Sequence, residues 1–212
     1  METRANIILA SASPRRKQLL ANAGYKFKVV PSQVDESSFS AKNITPVEYA
    51  KKLALAKALD VAEKFPDSLV IGADTVIDFD GQIFGKPADA KHAENITRLL
   101  FSKSHKVITG LALVCKSGTG FQPVKTRPGW PCYNRNIEIV EADTTTVYPR
   151  KLTEAQIAEH IAGGIWRDKA GAYAIKEKDD PFVDHIDGSM TNVMGLPLEL
   201  FKRLATEISF LF

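Results

Sequence analysis

Residues 5–24 read Ala-Asn-Ile-Ile-Leu-Ala-Ser-Ala-Ser-Pro-Arg-Arg-Lys-Gln-Leu-Leu-Ala-Asn-Ala-Gly. Residues 5–10 form a short apolar run suited to a buried strand. Ser13 then fits a helix N-cap, and Pro14 fits the first helical position, where its missing N–H leaves nothing unpaired. Leu19 and Leu20 give that helix an apolar side, and Gly24 suits its C-terminal cap. Residues 25–30, with Phe27 and Val29 alternating, read as a second strand. Strand, tight loop, helix and strand together open an α/β domain. The apolar run is too short for the core of a signal peptide, and Ser-Pro-Arg-Arg follows at once, so the expected compartment is the cytoplasm.

The rest of the chain extends this pattern. Thr45-Pro46-Val47-Glu48 is a capping box with proline at its first helical position. It predicts a helix to about Lys64 with an apolar stripe of Val47, Ala50, Leu53, Ala54, Ala58 and Val61, ended by Pro66-Asp67. Residues 69–72 and 75–79 are strand-like, Asp80-Gly81 is a hairpin turn signal, and Asp89 can cap a helix through Leu100. Residues 105–115 and 137–147 read as strands, and Thr153-Glu154-Ala155-Gln156 is a second capping box opening a helix to Gly163-Gly164. Residues 173–175 and 182–186 read as short strands, and an amphipathic helix covers 196–208. Strands and helices intermix without strict βαβ alternation. That predicts a mixed-sheet, two-lobed α/β architecture, not a regular doubly wound one.

The 212 residues are 44% hydrophobic and 25% charged, near the globular average, which excludes disordered, collagen-like and disulfide-dense classes. No apolar run approaches the roughly 20 residues that span a bilayer, so no membrane partner is expected. The net charge is +3, but residues 116–135 hold four basic residues and no acidic one, so the remainder sums to 24 − 25 = −1. Those twenty residues include six Gly or Pro and have no period, and they read as a surface insertion. Their Lys116, Lys125, Arg127 and Arg135, interleaved with Phe121, Trp130 and Tyr133, have the composition of a nucleic-acid contact. A surface insertion is the simpler reading, and nucleic acid is not expected as a partner. Cys115 and Cys132 fit no metal spacing, and a reducing compartment disfavours a disulfide between them.

Several residues could carry chemistry. The free N–H groups at the start of the first helix, with Arg15 and Arg16 beside them, have the build of an anion site; the bland alternative is a capped surface helix with solvated arginines. No Walker P-loop occurs. Asp74, in Ile71-Gly72-Ala73-Asp74-Thr75, follows a strand among small residues, where a carboxylate can bind a metal, orient a water or simply bond its own turn. Pro87 restricts the backbone of Lys86, which is otherwise an ordinary loop lysine. Lys57 differs from Lys51 and Lys52 in lying close to the apolar stripe of its helix. His92, His105, His160 and His185 share no spacing, so neither a histidine metal cluster nor a Ser-His-Asp triad is supported.

Five fragments occur in one order: Ser11-Ala12-Ser13-Pro14-Arg15-Arg16, Gly72-Ala73-Asp74-Thr75, Gly85-Lys86-Pro87, Asp168-Lys169-Ala170-Gly171-Ala172-Tyr173, and Asn192-Val193-Met194-Gly195-Leu196-Pro197. In this combination the chain resembles the Maf family of nucleoside triphosphate pyrophosphatases, over residues 5–204 apart from 116–135. The resemblance implies a single domain over residues 1–212, with a central cleft and an architecture like that of the inosine triphosphate pyrophosphatases. It implies conversion of a nucleoside triphosphate and water to the monophosphate and pyrophosphate, with a divalent metal, Mg²⁺ or Mn²⁺, as cofactor. By the same resemblance Asp74 matches the catalytic base, and Arg15 and Arg16 match phosphate-binding arginines within the Ser13 loop. Lys57 and Lys86 match further active-site lysines, Glu36 matches a metal-binding carboxylate, and Thr75 matches a position tied to substrate choice. Asp74 as a second metal ligand is an open variant. A homodimer is compatible with the resemblance.

The Asp-Lys-Ala-Gly-Ala-Tyr run resembles the branch acting on dTTP and UTP. That branch usually continues Tyr-Gly-Ile-Gln, whereas here it reads Tyr173-Ala174-Ile175-Lys176. A glutamine amide both donates and accepts; lysine only donates and cannot accept from a pyrimidine N–H. A relaxed or shifted base preference is therefore expected. A member of a different class, a regulator of cell division that holds nucleotide without turning it over, is the alternative, and the intact Asp74, Glu36, Lys57 and Lys86 speak against it.

Overall fold

The computed structural model describes residues 6–116, 136–167, 169–175 and 180–208. One mixed sheet runs through it, made of β1 (Ile7–Leu9), β2 (Phe27–Val29), β3 (Leu69–Phe79), β4 (Gln82–Phe84), β5 (His105–Cys115), β6 (Ile137–Pro149) and β7 (Val183–Asp187). Its order is β2-β1-β3-β5-β6-β7, with β4 also paired to β3. The β2-β1-β3 pairs are parallel, and the rest are antiparallel. The helices are α1 (Pro14–Asn22), α2 (Pro46–Ala62), α3 (Ala90–Leu100), α4 (Glu154–Ala162), α5 (Met190–Val193) and α6 (Leu198–Glu207).

The helix starts follow their capping chemistry. Ser13 accepts from the Arg16 N–H, and both halves of the Thr45/Glu48 and Thr153/Gln156 capping boxes form. Each box satisfies two orphan donors at a helix end.

β3, β5 and β6 are long enough to serve two lobes. Their near halves pack with β1, α1 and α6 on one face, around Leu20, Ile71 and Phe201, and with α2 on the other, around Ala58 and Val70. The far halves of β3 and β5, with β7, pack with α3 and the segment around Trp166 and Tyr173. The two-lobed mixed-sheet expectation therefore matches the structure.

Three local expectations do not. The break between 72 and 75 is absent, because β3 pairs with β5 without interruption from Val70 to Asp78. Gly72 and Gly110 are small for another reason: an added Cβ would overlap the carbonyl oxygens of Ala54 and Ala50, so their absence lets α2 sit directly on the sheet. Residues 173–175 join no strand. They follow a 3₁₀ turn, Ala170–Ala172, in which Gly171 and Ala172 have φ of 72° and 63°, and Tyr173 turns into the core instead of along a ladder. Val47, placed on the apolar stripe, is 38% exposed, while Lys57 lies among the buried residues of α2. In addition, Cys115 stands as disulfide-bonded, against the expectation of reduced thiols; Cys132 lies outside the described residues.

Candidate active site

β3 owns the position of the site. Its outer edge pairs with β1 at Leu69–Ile71 and with β4 at Ile77–Phe79, leaving residues 72–76 without a strand partner on that side. A cavity of about 780 Å³ opens at this gap, walled by residues of both lobes. Successive side chains of a strand point to opposite faces, so Asp74 reaches the cleft from the α2 face and Thr75 from the other. A ligand at a sheet edge can meet both.

On the α2 face, Lys57 bridges two carboxylates. Its Nζ lies 2.6 Å from Asp74 Oδ1 and 2.7 Å from Glu36 Oε1. The side chains of Lys57 and Asp74 are 11% and 8% exposed, whereas that of Glu36 is 46% exposed. Gly110, directly across the ladder from Asp74, permits the close approach of α2 that brings the lysine there. Glu36 is presented by a 3₁₀ turn, Glu36–Ser38, whose Ser37 N–H is capped by the Asp35 carboxylate. Burial pushes the Glu36 carboxyl up, but the hydrogen bond and charge of Lys57, with Lys86 and Arg16 beyond it, outweigh this and hold it below its ordinary value.

On the opposite face, Arg16 closes the open edge. Its Nε donates to Gly195 O at 2.7 Å, and its Nη1 donates to Ala73 O at 2.8 Å and to Ser11 Oγ at 3.3 Å. Nη2 donates to Thr75 Oγ1 at 3.0 Å. A guanidinium carries five N–H donors, so these four bonds leave one free. Arg16 thus takes the place of a missing strand, satisfying the Ala73 carbonyl that β1 no longer reaches. Gly195 has φ of 101°, and a Cβ there would press on Arg16 Nε and Thr75 Oγ1, each 3.3 Å away.

Arg15 and Lys86 differ from Arg16 and Lys57. Both line the cleft, and neither makes a hydrogen bond or ion pair among the described residues. Burial lowers the Arg15 pKa, and the nearby Tyr173 partly opposes that. Lys86 sits on the loop after β4, held to the far lobe by the Gly171 N–H donating to Gly85 O at 3.1 Å. Ser13 lines the same wall, its Oγ engaged in the α1 cap.

Tyr173 forms the far wall. It is 4% exposed, and its hydroxyl lies 2.7 Å from His105 Nε2. His105 Nδ1 lies 3.1 Å from Leu100 O, which can only accept, so Nδ1 carries the proton and the tyrosine donates to Nε2. Burial holds the imidazole below its ordinary pKa and the phenol above its own.

The structure therefore brings Ser13, Arg15, Arg16, Glu36, Lys57, Asp74, Thr75 and Lys86 to one cleft. Lys176 lies outside the described residues. Sequence reading did not single out Arg167 at the rim or Thr109 behind Thr75, and it placed Lys169 and Asn192 in its fragments without giving either a role. Thr109 had one available signal, a hydroxyl in an apolar strand, but only strand register places it opposite Thr75. Among the described residues no three His, Cys, Asp or Glu side chains converge as a preformed metal cage.

A family model described as Maf-like protein matches residues 6–208. A protein of Geotalea uraniireducens named dTTP/UTP pyrophosphatase is 42% identical over 198 residues, covering 93% of this chain and 92% of its own. One of Elusimicrobium minutum with the same name is 39% identical over 208 residues, covering 96% and 99%. Among solved structures, the Staphylococcus aureus Ham1 protein aligns over 95% of this chain and 98% of its own, with 11% identity and a TM-score of 0.48.

Proposed function

The chain belongs to the Maf family, and on that premise we propose that it is a nucleoside triphosphate pyrophosphatase, cleaving between the α and β phosphorus to release pyrophosphate. One observation carries the reading. A carboxylate held by an ammonium, Asp74 on Lys57, lies in a cleft whose cations Arg15 and Lys86 have no hydrogen-bond or ion-pair partner among the described residues. Phosphoryl transfer needs positioning and charge stabilisation more than covalent chemistry.

In this mechanism Arg15 and Lys86 bind the polyphosphate, and Ser13 and the α1 N-terminus add dipoles that favour anions. Lys57 occupies Asp74 Oδ1, which orients the carboxylate and leaves Oδ2 to take the proton of the water attacking the α-phosphorus. Arg16 acts as frame, with its one remaining N–H available to a phosphate oxygen. Lys57 takes Glu36 Oε1 and Asp74 Oδ1, so a metal would be held by the remaining hard oxygens, Glu36 Oε2 and, in the variant where Asp74 is a ligand instead of the base, Asp74 Oδ2. That donor set suits Mg²⁺ or Mn²⁺, which take one or two carboxylates and complete their shells with phosphate oxygens and water. A bound metal would neutralise phosphate charge and acidify water.

The substrates in this reading are dTTP and UTP, as in the names of the relatives, with the base preference relaxed by Lys176. The sequence expectation of a cytoplasmic compartment is kept in this reading, with the disulfide of Cys115 standing against a reducing one; separately, no described helix is long and apolar enough to cross a membrane. The test is pyrophosphate release from a nucleotide panel with Mg²⁺ or Mn²⁺, run on wild type and Lys176→Gln together. Wild type should release pyrophosphate, and the glutamine variant should sharpen selection of dTTP and UTP over CTP and GTP. Binding without turnover would overturn the enzymatic reading. Strong pyrimidine selection by wild type would show that Lys176 does not read the base.

A further inference from the structure

The Thr75 hydroxyl sits in a chain of hydrogen bonds whose direction can be read from chemistry. Thr75 and Thr109 are directly opposite on β3 and β5, and their Oγ1 atoms are 3.0 Å apart. Thr109 is fully buried and does not line the cleft. Its Oγ1 is also 3.0 Å from the Asn192 carbonyl oxygen. A carbonyl only accepts, so an oxygen–oxygen contact this short requires the Thr109 proton to lie between them. Thr109 then has no proton for Thr75, and the bond between the two threonines must be donated by Thr75. On its other side Thr75 accepts from Arg16 Nη2, a group that cannot accept. The order is Arg16 to Thr75 to Thr109 to Asn192.

Asn192 is anchored in turn. It is fully buried, and its Nδ2 donates to Val107 O at 3.0 Å and to Thr145 Oγ1 at 2.9 Å. The carbonyl that sets the direction of the chain is therefore fixed to β5 and β6.

A hydroxyl has one donor and two acceptor positions. The donor of Thr75 is spent on Thr109 and one acceptor on Arg16, so what remains for the cleft is one acceptor. We propose that Thr109 is a positioning residue that fixes the polarity of the Thr75 hydroxyl, so that Thr75 selects a hydrogen-bond donor on the substrate. An ionised phosphate oxygen, which only accepts, is rejected there. The matching group is a donor of the nucleoside, either a ring N–H of the base or a sugar hydroxyl. This inference rests on the pyrophosphatase reading for the identity of the ligand but not for the direction of the bonds.

The experiment pairs analogues with variants. UTP is compared with two analogues that place an acceptor where UTP has a donor, CTP at ring N3 and 3′-deoxy-3′-fluoro-UTP at the sugar, on wild type, Thr109→Val and Thr109→Ser. Losing one neutral hydrogen bond is worth about 3- to 10-fold. One analogue should raise KM by that factor on wild type and on Thr109→Ser, with kcat little changed. On Thr109→Val, where the Thr75 hydroxyl is free to turn and donate to an acceptor-only analogue, the analogue penalty should vanish. Valine keeps the shape and the β-branch; should it fail to fold, Thr75→Val removes the acceptor itself and should likewise abolish the penalty. The inference is overturned if neither analogue is penalised by wild type, if Thr109→Val keeps the penalty, or if Thr109→Ser loses it. If wild type hydrolyses no nucleotide, the pyrophosphatase reading fails. The same analogue pairs, measured by calorimetric binding, then still decide the role of Thr109.

Discussion

Replacing Lys57 by methionine tests the electrostatics of the cleft directly. Methionine preserves the length and apolar stem of the side chain and removes only the ammonium. Asp74, 8% exposed, then loses its counter-ion, and Glu36 is left facing it across the vacated position. Removing one partner of a buried pair costs about 3–5 kcal/mol. Glu36 is half in solvent, so its share is small, and the expected cost is near the lower end, about 3 kcal/mol at pH 8. The sign of the pH dependence follows from Glu36. Its folded pKa lies below the ordinary value, so it contributes stability that is present above the unfolded pKa and is lost as pH falls. In the variant that contribution is gone, and two close carboxylates without a cation take up a proton more readily in the folded state. As pH falls from 8 the variant therefore gains stability at this site, wild type begins to lose its Glu36 contribution only below about pH 4.5, and the gap closes by at most about 1.4 kcal/mol per proton per pH unit. Urea unfolding of both proteins at pH 8 and pH 4.5 measures this. A Lys57→Met protein as stable as wild type at pH 8, or a deficit unchanged at pH 4.5, would refute the argument. Adding Asp74→Asn to the variant should restore much of the loss, because the uncompensated charge is then gone.

Asp74→Asn alone should lower kcat for pyrophosphate release by about 10²- to 10⁴-fold, the usual worth of a general base, with an unchanged circular dichroism spectrum; near-full activity would remove Asp74 from the chemistry. Arg15→Ala and Lys86→Ala each delete a charge-assisted contact and should raise KM by about 10- to 100-fold while leaving stability nearly intact, as steady-state kinetics and thermal melts would report. Gly110→Ala should destabilise by about 3 kcal/mol or more, because α2 must move off β5, and activity should fall with it as Lys57 withdraws from Asp74; a denaturant titration beside a kinetic assay checks both. His105 has a folded pKa depressed by burial, so wild type should lose stability as pH falls below about 6.5, and His105→Gln should flatten that slope in melts between pH 7 and pH 5.

Much of the fold was legible because it rests on local rules. Ser13, Thr45, Asp89 and Thr153 are N-caps by their own side-chain chemistry, and each starts a helix where expected. Residues 105–115 are a nearly continuous apolar run and 137–147 are rich in β-branched residues, which favours a strand in each. Local rules failed where a distant partner decides. Gly72 looks like a break in a strand until α2 is seen lying on it, and Tyr173 looks like a strand residue until His105 claims its hydroxyl.

The site divides the same way. The residue types, and their order along the chain, identify which side chains belong to the cleft, since a carboxylate, lysines and arginines in those motifs have few other uses together. The sequence could not say what each one does. Arg15 and Arg16 are neighbours with identical chemistry, yet one is free to meet a ligand and the other is bound four times to the protein. That difference comes from successive positions on α1 facing different surroundings, and from a sheet edge that ends at Ile71 and resumes at Ile77. Composition and pattern determine which groups are present and which elements carry them. Hydrogen-bond direction, charge pairing and the gap in the sheet depend on atoms far apart in the chain coming within 3 Å of each other, and only the tertiary structure decides that.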